Sequence, residues 1–254
     1  MKRYIVFAGF VFSTLMHAES NPTKDLQSAA QWGDLNGVKQ AIKAGADINA
    51  KGELEDFQEY SFSKNALIWA AVMGHLDVVK YLVEHGANIE ARDDYGQTAL
   101  FAAAKRGHAD VVQYLLSKGA KAEVAVFGSN AVIYSLFHPE IVEMLAKAGG
   151  DVNRMSEFQQ TPLMAAASTG NIESLRILLK YGAKVNLQFP DKQKGMTALM
   201  QAIDNGQLET AEALLQKGAS LTLKDAEGRT ALDIADSKGD EKMKALLKRY
   251  HKKK

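Results

Sequence analysis

Enzymes need nucleophiles, general bases or metal ligands at set spacings, and this chain offers few. Cysteine is absent from its 254 residues, which removes disulfides, thiol catalysis and thiolate metal sites together. The six histidines are His17, His75, His85, His108, His138 and His251. None forms His-x-x-x-His or His-Glu-x-x-His, the spacings that hold zinc on one helix face. No Gly-x-Ser-x-Gly elbow or Gly-x-x-x-x-Gly-Lys phosphate loop is present. Gly128-Ser129-Asn130 lacks a paired base and reads as a turn. Acid pairs such as Asp93-Asp94 could do acid–base work only inside a closed cleft. The remaining candidate constellation is Tyr134, His138 and Glu140, in an irregular stretch. The residue types therefore point away from catalysis and predict no cofactor and no metal.

His75 and His108 stand 33 residues apart, each after a glycine, and that spacing leads from chemistry to architecture. A Gly-Ala pair recurs at Gly45-Ala46, Gly86-Ala87, Gly119-Ala120, Gly182-Ala183 and Gly218-Ala219, with Gly149-Gly150 filling the series. The steps are 41, 33, 30, 33 and 36 residues, and a period near 33 marks a solenoid of stacked helix pairs. Apolar residues at i, i+3 and i+4 precede these glycines, as in Val111-Val112 and Leu115-Leu116, and line one helix face. The glycine supplies the left-handed residue that ends the helix. An earlier helix opens each unit at Thr98-Ala99-Leu100, Thr161-Pro162-Leu163, Thr197-Ala198-Leu199 and Thr230-Ala231-Leu232. Threonine caps it, and Pro162 sits where a missing N–H costs nothing. Alanines such as Ala102-Ala103-Ala104 let two helices approach closely, and Gly-His or Gly-Asn turns join the pair.

The run Gln97-Thr98-Ala99-Leu100 through Gly107-His108 to Gly119-Ala120 resembles the ankyrin repeat family, and the resemblance covers nearly all of residues 24–250. It implies an all-α solenoid of about seven helix pairs with finger loops or hairpins, binding another protein along a concave face without a cofactor. The units fall at about 24–50, 65–91, 98–124, 129–154, 161–187, 197–223 and 230–250. Unit 4 is three residues short, with Ala131 to Pro139 in place of the alanine helix and Gly-His turn. A shortened first helix, a turn rebuilt around Pro139 and a tilt between the two halves of the stack are expected there. An insert at 51–64 carries four acids and three aromatics, and the finger around Gln188–Lys194 is also lengthened.

Recognition in such an array falls to residues that differ between units at the fingertips and inner helices. Threading the family pattern puts Trp32, Asp94, Tyr95, Gln97, Lys105, Arg106, Glu157, Phe158, Lys194 and Met196 there, with Phe57, Tyr60 and Phe62 of the insert beside them. Aromatics and arginine make strong anchors. Met73 and Met155 add adaptable apolar area, whereas Met164 and Met200 fit core positions.

The chain opens with an address. Met1-Lys2-Arg3 is basic, Tyr4 to Met16 is almost wholly apolar, and Ala18 precedes the polar Glu19-Ser20-Asn21. This is the pattern of a secretory signal at residues 1–18, too short for a comfortable membrane span, followed by a linker at 19–23. Losing Lys2 and Arg3 takes the formal charge from +1 to −1, and neither value favours nucleic acid. A basic tail at 251–254 reads as a solvated cap. Address and resemblance together imply a monomeric periplasmic or secreted module that stabilises or inhibits an exported partner. That partner is an enzyme, or a toxin such as a lipase effector neutralised by an immunity protein. A membrane-tethered scaffold is the alternative if the apolar segment is retained.

Overall fold

The structure is a computed structural model, and it describes residues 21–52, 63–123, 125–126, 128–188 and 195–251. The expected signal, most of the 51–64 insert, Lys194 and residues 252–254 lie outside them. Among the described residues the elements run α1 Pro22–Trp32, α2 Leu35–Lys43, α3 Ala66–Met73, α4 Leu76–Glu84, α5 Ala99–Arg106 and α6 Ala109–Ser117. They continue with β1 Ala125–Val126, β2 Ser129–Asn130, α7 Ala131–Tyr134, α8 Pro139–Lys147, α9 Pro162–Thr169 and α10 Ile172–Lys180. The last four are α11 Ala198–Asp204, α12 Leu208–Gln216, α13 Ala231–Lys238 and α14 Glu241–His251. Odd-numbered and even-numbered helices pair into seven units. Helix α1 starts inside the expected linker, capped by Asn21, whose side chain accepts from the Thr23 and Lys24 amides.

Local chemistry starts and stops these helices. Thr98, Thr161, Thr197 and Thr230 each accept an N–H three residues on, at 3.2–3.3 Å, and Asn65 does the same at 2.9 Å. Each cap satisfies one of the donors that a helix start leaves open. The glycines expected to end the second helices all have positive φ, from 85° at Gly218 to 92° at Gly86. Leu26, Val79, Leu82, Leu115, Leu145, Leu175 and Leu214 have no exposed surface, and they belong to one continuous apolar cluster.

Stacking uses a second set of glycines. A Cβ on Gly33 would lie 2.6 Å from His75 Nδ1, one on Gly74 2.5 Å from His108 Nδ1, and one on Gly107 2.3 Å from His138 Cε1. Each imidazole therefore packs on the turn of the unit before it. His75 Nε2 and His108 Nε2 lie 3.0 Å from the carbonyls of Gln31 and Val72 in that preceding unit. Both bonds cross between units.

A ladder on the other side of the turn continues this linkage. The fourth residue after each second-helix glycine accepts the N–H of the second residue after the next one. Asn49 accepts from Asn88 (2.7 Å), Glu90 from Lys121 (2.8 Å), Glu123 from Asp151 (2.7 Å), Asn153 from Lys184 (2.8 Å) and Asn186 from Ser220 (2.8 Å).

Curvature follows from side-chain size. The alanine-rich first helices α1, α3 and α5, and again α9, α11 and α13, contact one another more extensively than the second helices beside them. The first-helix side is therefore the concave side. Unit 4 breaks the pattern. Helix α7 has 4 residues where α5 has 8, and Asn130 makes no cap bond but donates to the Asp151 carbonyl at 2.7 Å. Pro139 occupies the first turn of α8, so it opens the second helix and does not form the turn. Between units 4 and 5 the second helices α8 and α10 make the broader contact, and α7 touches α9 only slightly. Unit 4 has no turn glycine for a histidine to sit on. Instead the fully buried Ser174 donates to the Leu136 carbonyl at 2.6 Å.

Two of the fingers are held by a buried acid, Asp93 in one and Asp225 in the other. Asp225 accepts N–H bonds from Glu227 (2.9 Å) and Arg229 (2.8 Å), and the Arg229 guanidinium at 2.9 Å. Burial by itself raises this carboxyl. The backbone and side-chain bonds from Arg229 outweigh burial and hold it below the ordinary carboxylate range.

Three stability predictions follow from this packing. Leu115→Ala should cost ~2–5 kcal/mol in urea unfolding, as for other buried leucines. Gly86→Ala, with open space around it, should cost only the ~1–2 kcal/mol of a left-handed non-glycine. Gly74→Ala should cost more than Gly86→Ala, and the excess should vanish when both are made in a His108→Ala background; equal costs for the two glycines in the unaltered chain would contradict the contact. Asp225 contributes stability that is present above its unfolded pKa of about 4 and is lost as pH falls through the lower folded value. Asp225→Asn should therefore destabilise by about 1–3 kcal/mol at pH 7 and flatten the acid limb of a melting-temperature profile.

Candidate concave binding surface

The concave side is built from the exposed edges of the first helices and from the fingers. Trp32 ends α1 and is 66% exposed; Met73 ends α3 at 43%; Phe137, in the unit 4 turn, is at 72%; Phe158, at a fingertip, is at 76%. Large apolar groups left in water on a rigid frame are natural contact points. Phe137 escaped the sequence reading because the shortened α7 shifts the register of unit 4. A phenylalanine directly before His138, where other units have glycine, was the available signal.

The expected site residues do not all behave alike. Trp32, Lys105, Arg106, Glu157 and Phe158 are exposed as predicted. Lys105 Nζ stands 5.2 Å above the Tyr134 ring, itself edge-on to Phe101 at 5.3 Å. Tyr95 is half-buried. Asp94 is exposed but occupied: it accepts from Lys51 Nζ (3.3 Å) and the Ser63 N–H (3.1 Å). Those two bonds, largest first, hold its carboxyl below the usual range. With the Gly52–Lys64 bridge, they close the base of the insert onto the third unit's finger.

Two expectations are corrected. Met196 is buried, 7% exposed, and joins the core cluster; it directly precedes the Thr197 cap, where an apolar side chain turns inward. Gln97 is half-buried and serves its own finger, its N–H and side-chain amide both bonding Asp93, at 2.8 and 3.3 Å. Phe57, Tyr60, Phe62 and Lys194 lie outside the described residues. As expected, Met164 and Met200 are buried and Met155 is exposed.

The finger that carries Phe158 differs from its neighbours. Ser156 replaces the buried acid, accepting the Gln160 N–H at 3.3 Å. Gln159 has φ 55° where the matching Gly96 and Gly228 have 78° and 77°. A left-handed non-glycine residue stores strain, and such strain clusters at functional sites. A second feature lies beneath the insert. Lys64 Nζ sits 4.8 Å over the Trp69 ring, and Trp69 Nε1–H is buried without an acceptor among the described residues. Burial pulls the Lys64 ammonium below its ordinary value, against the pull of Asp93 and Asp94.

The unit 4 constellation does not converge. Tyr134 packs on Phe101 and Lys105, and His138 packs on Gly107. Glu140 instead lines a shallow open depression on the second-helix side with Glu143, Met144, Lys147, Lys180 and Tyr181. There Lys180 and Glu143 are paired at 2.5 Å, which lowers Glu143 and raises Lys180 from their usual values. Among the described residues no three His, Asp or Glu side chains gather as a metal site.

Comparison with known proteins agrees with this geometry. The family model described as ankyrin repeats (3 copies) matches residues 26–126, 129–225 and 191–254. The crystal structure of the human ASB11 ankyrin repeat domain is similar at a TM-score of 0.71 and 28% identity, covering 89% of this chain and 96% of that one. The ankyrin repeat domain of Bcl-3, a member of the IkappaB protein family, gives 0.73 and 25%, covering 88% and 97%. A Danio rerio protein named as a palmitoyltransferase, ZDHHC13, is 30% identical over 203 residues, 68% of this chain; the chain spans 32% of that relative's length. An ankyrin repeat protein of Fowlpox virus (strain NVSL), FPV244, is 47% identical over 47 residues, 18% of this chain and 7% of the viral protein. With the stacked helix pairs, the left-handed glycines and a family match along most of its length, this chain belongs to the ankyrin repeat family.

Proposed function

We propose that the chain is an exported protein-binding module, periplasmic or secreted, that grips and modulates an exported partner and performs no catalysis itself. The observation that carries this reading is Phe158. This phenylalanine is 76% exposed on a finger strained at Gln159, and strain of that kind clusters at functional sites. Around it the scaffold is stiff, so association orders little new chain. Among the described residues, the second-helix side exposes no large aromatic ring. Its exposed charges pair between units, as in Arg176–Glu209 at 3.0 Å, Lys180–Glu143 and Arg249–Glu212.

Export is supported by the basic start, the apolar run Tyr4–Met16 and Ala18. The partner is then an exported enzyme that the module stabilises, or an exported toxin that it neutralises. Transferase activity is not carried over from the zebrafish relative, because the match spans a third of that protein and this chain has no thiol to carry an acyl group.

The processed protein should begin at Glu19 by intact-mass analysis; a retained Tyr4–Met16 segment would mean a tethered scaffold. Affinity capture from the periplasm of the producing cell should recover one exported protein in stoichiometric amount. Phe158→Ala should weaken that complex about tenfold or more, the loss typical of a buried aromatic anchor, with its melting temperature unchanged. Tyr95→Ala should weaken it less, because that ring is already half-covered.

A further inference from the structure

We propose that the first-helix face of units 1–4 is the principal docking site, and that it receives an acidic segment of the partner in which carboxylates lie between apolar side chains. The proposal rests on the protein-binding reading above and adds where the partner sits and what its chemistry is.

The stacked turns align the candidates. Because His75 packs on Gly33, His108 on Gly74 and His138 on Gly107, the residues before those glycines, Trp32, Met73 and Arg106, fall into one row. In unit 4 the row's own residue, Leu136, is buried, and the exposed Phe137 stands beside the row in the place that glycine takes elsewhere. Trp32, Met73 and Phe137 are large and apolar, and all three are exposed, as is Arg106. The same place in unit 5 holds the polar Thr169. In unit 6 it holds Asn205, and in unit 7 Lys238, whose ammonium meets Asp204 at 2.8 Å. The apolar character therefore stops at unit 4, where the stacking also changes.

Charge selects the kind of segment. Lys105 and Arg106 are exposed at the centre of the row, with Trp32 and Met73 on one side and Phe137 on the other. Neither meets a carboxylate among the described residues. The two acids of the neighbouring finger are already bonded: Asp93 accepts its own finger's N–H groups, and Asp94 holds Lys51 and Ser63. Beside them Lys64 stands over Trp69. A carboxylate-bearing segment satisfies these cations, and its apolar neighbours cover Met73 and Phe137. Electrostatic complementarity of this kind sets register and association rate. A flat anionic bilayer fits poorly, since the row lies on the concave side.

The test is selection of a displayed library of random peptides against the full processed chain, followed by fluorescence anisotropy with the enriched sequences. Support requires enriched peptides rich in Asp or Glu interleaved with apolar residues. Their affinity should fall about tenfold or more with the surface double variant Lys105→Glu/Arg106→Glu and with Phe137→Ala. It should weaken with rising salt and stay within about twofold for Phe158→Ala. Circular dichroism melts of each variant check that the array stays folded. Enrichment of basic or uncharged peptides overturns the proposal, as does affinity indifferent to the double variant. Loss of binding only in Phe158→Ala also overturns it, but moves docking to the fingers and leaves the wider protein-binding reading standing. No enriched peptide, with binding to vesicles of anionic phospholipid, would overturn both.

Discussion

A linear array has no distant contacts to correct an error, so its register must be set at every junction, and here that task falls to hydrogen bonds between adjacent units. Two residues beyond each left-handed glycine the chain is outside its helix, and the backbone N–H there needs another partner. The next acceptor is not in the same unit: it is the Asn or Glu side chain of the unit before, at 2.7–2.8 Å. The imidazoles of His75 and His108 do the complementary job at the other end of the helices, each reaching back to a carbonyl of the previous unit. Both ends of a helix pair are therefore pinned to a neighbour. Since each repeat contacts only its neighbours, loss of one such link should be felt at one junction and not across the whole molecule.

The two linkages tolerate irregularity differently, and this explains unit 4. The side-chain ladder runs through unit 4 without a gap, because it depends on positions counted from the second-helix glycines, and unit 4 keeps its own, Gly149. The imidazole stack fails one step later, because α7 is too short to end in a glycine turn. Ser174 takes over with a buried hydroxyl bond to the Leu136 carbonyl. A buried polar group is stable only when bonded, so this serine is a repair of the junction. The cost is a different geometry: α8 and α10 take the broad contact that first helices take elsewhere. The molecule thus has two surfaces in series, with aromatic and cationic groups along units 1–4 and Phe158 opening the second half.

Most of the fold was legible because repetition amplifies weak signals. A single glycine after an apolar run is ambiguous, whereas six in phase are not. The threonine caps and the glycine stops matched because they depend on neighbouring residues alone. The ladder was equally present in the sequence, as Asn or Glu at the fourth position after each glycine, but side chains that bond a neighbour's backbone leave no hydrophobic period to notice. The site was less legible for a physical reason. Exposure depends on how neighbouring units pack, and pattern threading treats Met196 and Met73 alike. Only packing shows that Met196 turns into the core while Met73 faces water. Gln97 and Asp94 misled in the same way, since polar residues at a fingertip serve the finger's own backbone before they serve a partner.

That last point separates scaffold from recognition within the fingers. The fingers at Asp93 and Asp225 are built alike: a buried acid gathers two backbone N–H groups, and glycine takes the left-handed turn. The finger at Ser156 gives up both devices. A hydroxyl accepts a single longer bond, and Gln159 bears the positive φ that glycine would take without strain. If this finger were scaffold alone, the loss would bring nothing in return. What the change leaves at the tip is an exposed Phe158 flanked by Glu157, a side chain that water disfavours and that a protein surface can cover. Among the described residues, the finger that gives up both the buried acid and the glycine also carries the most exposed aromatic ring, as expected when local stability is given up for contact.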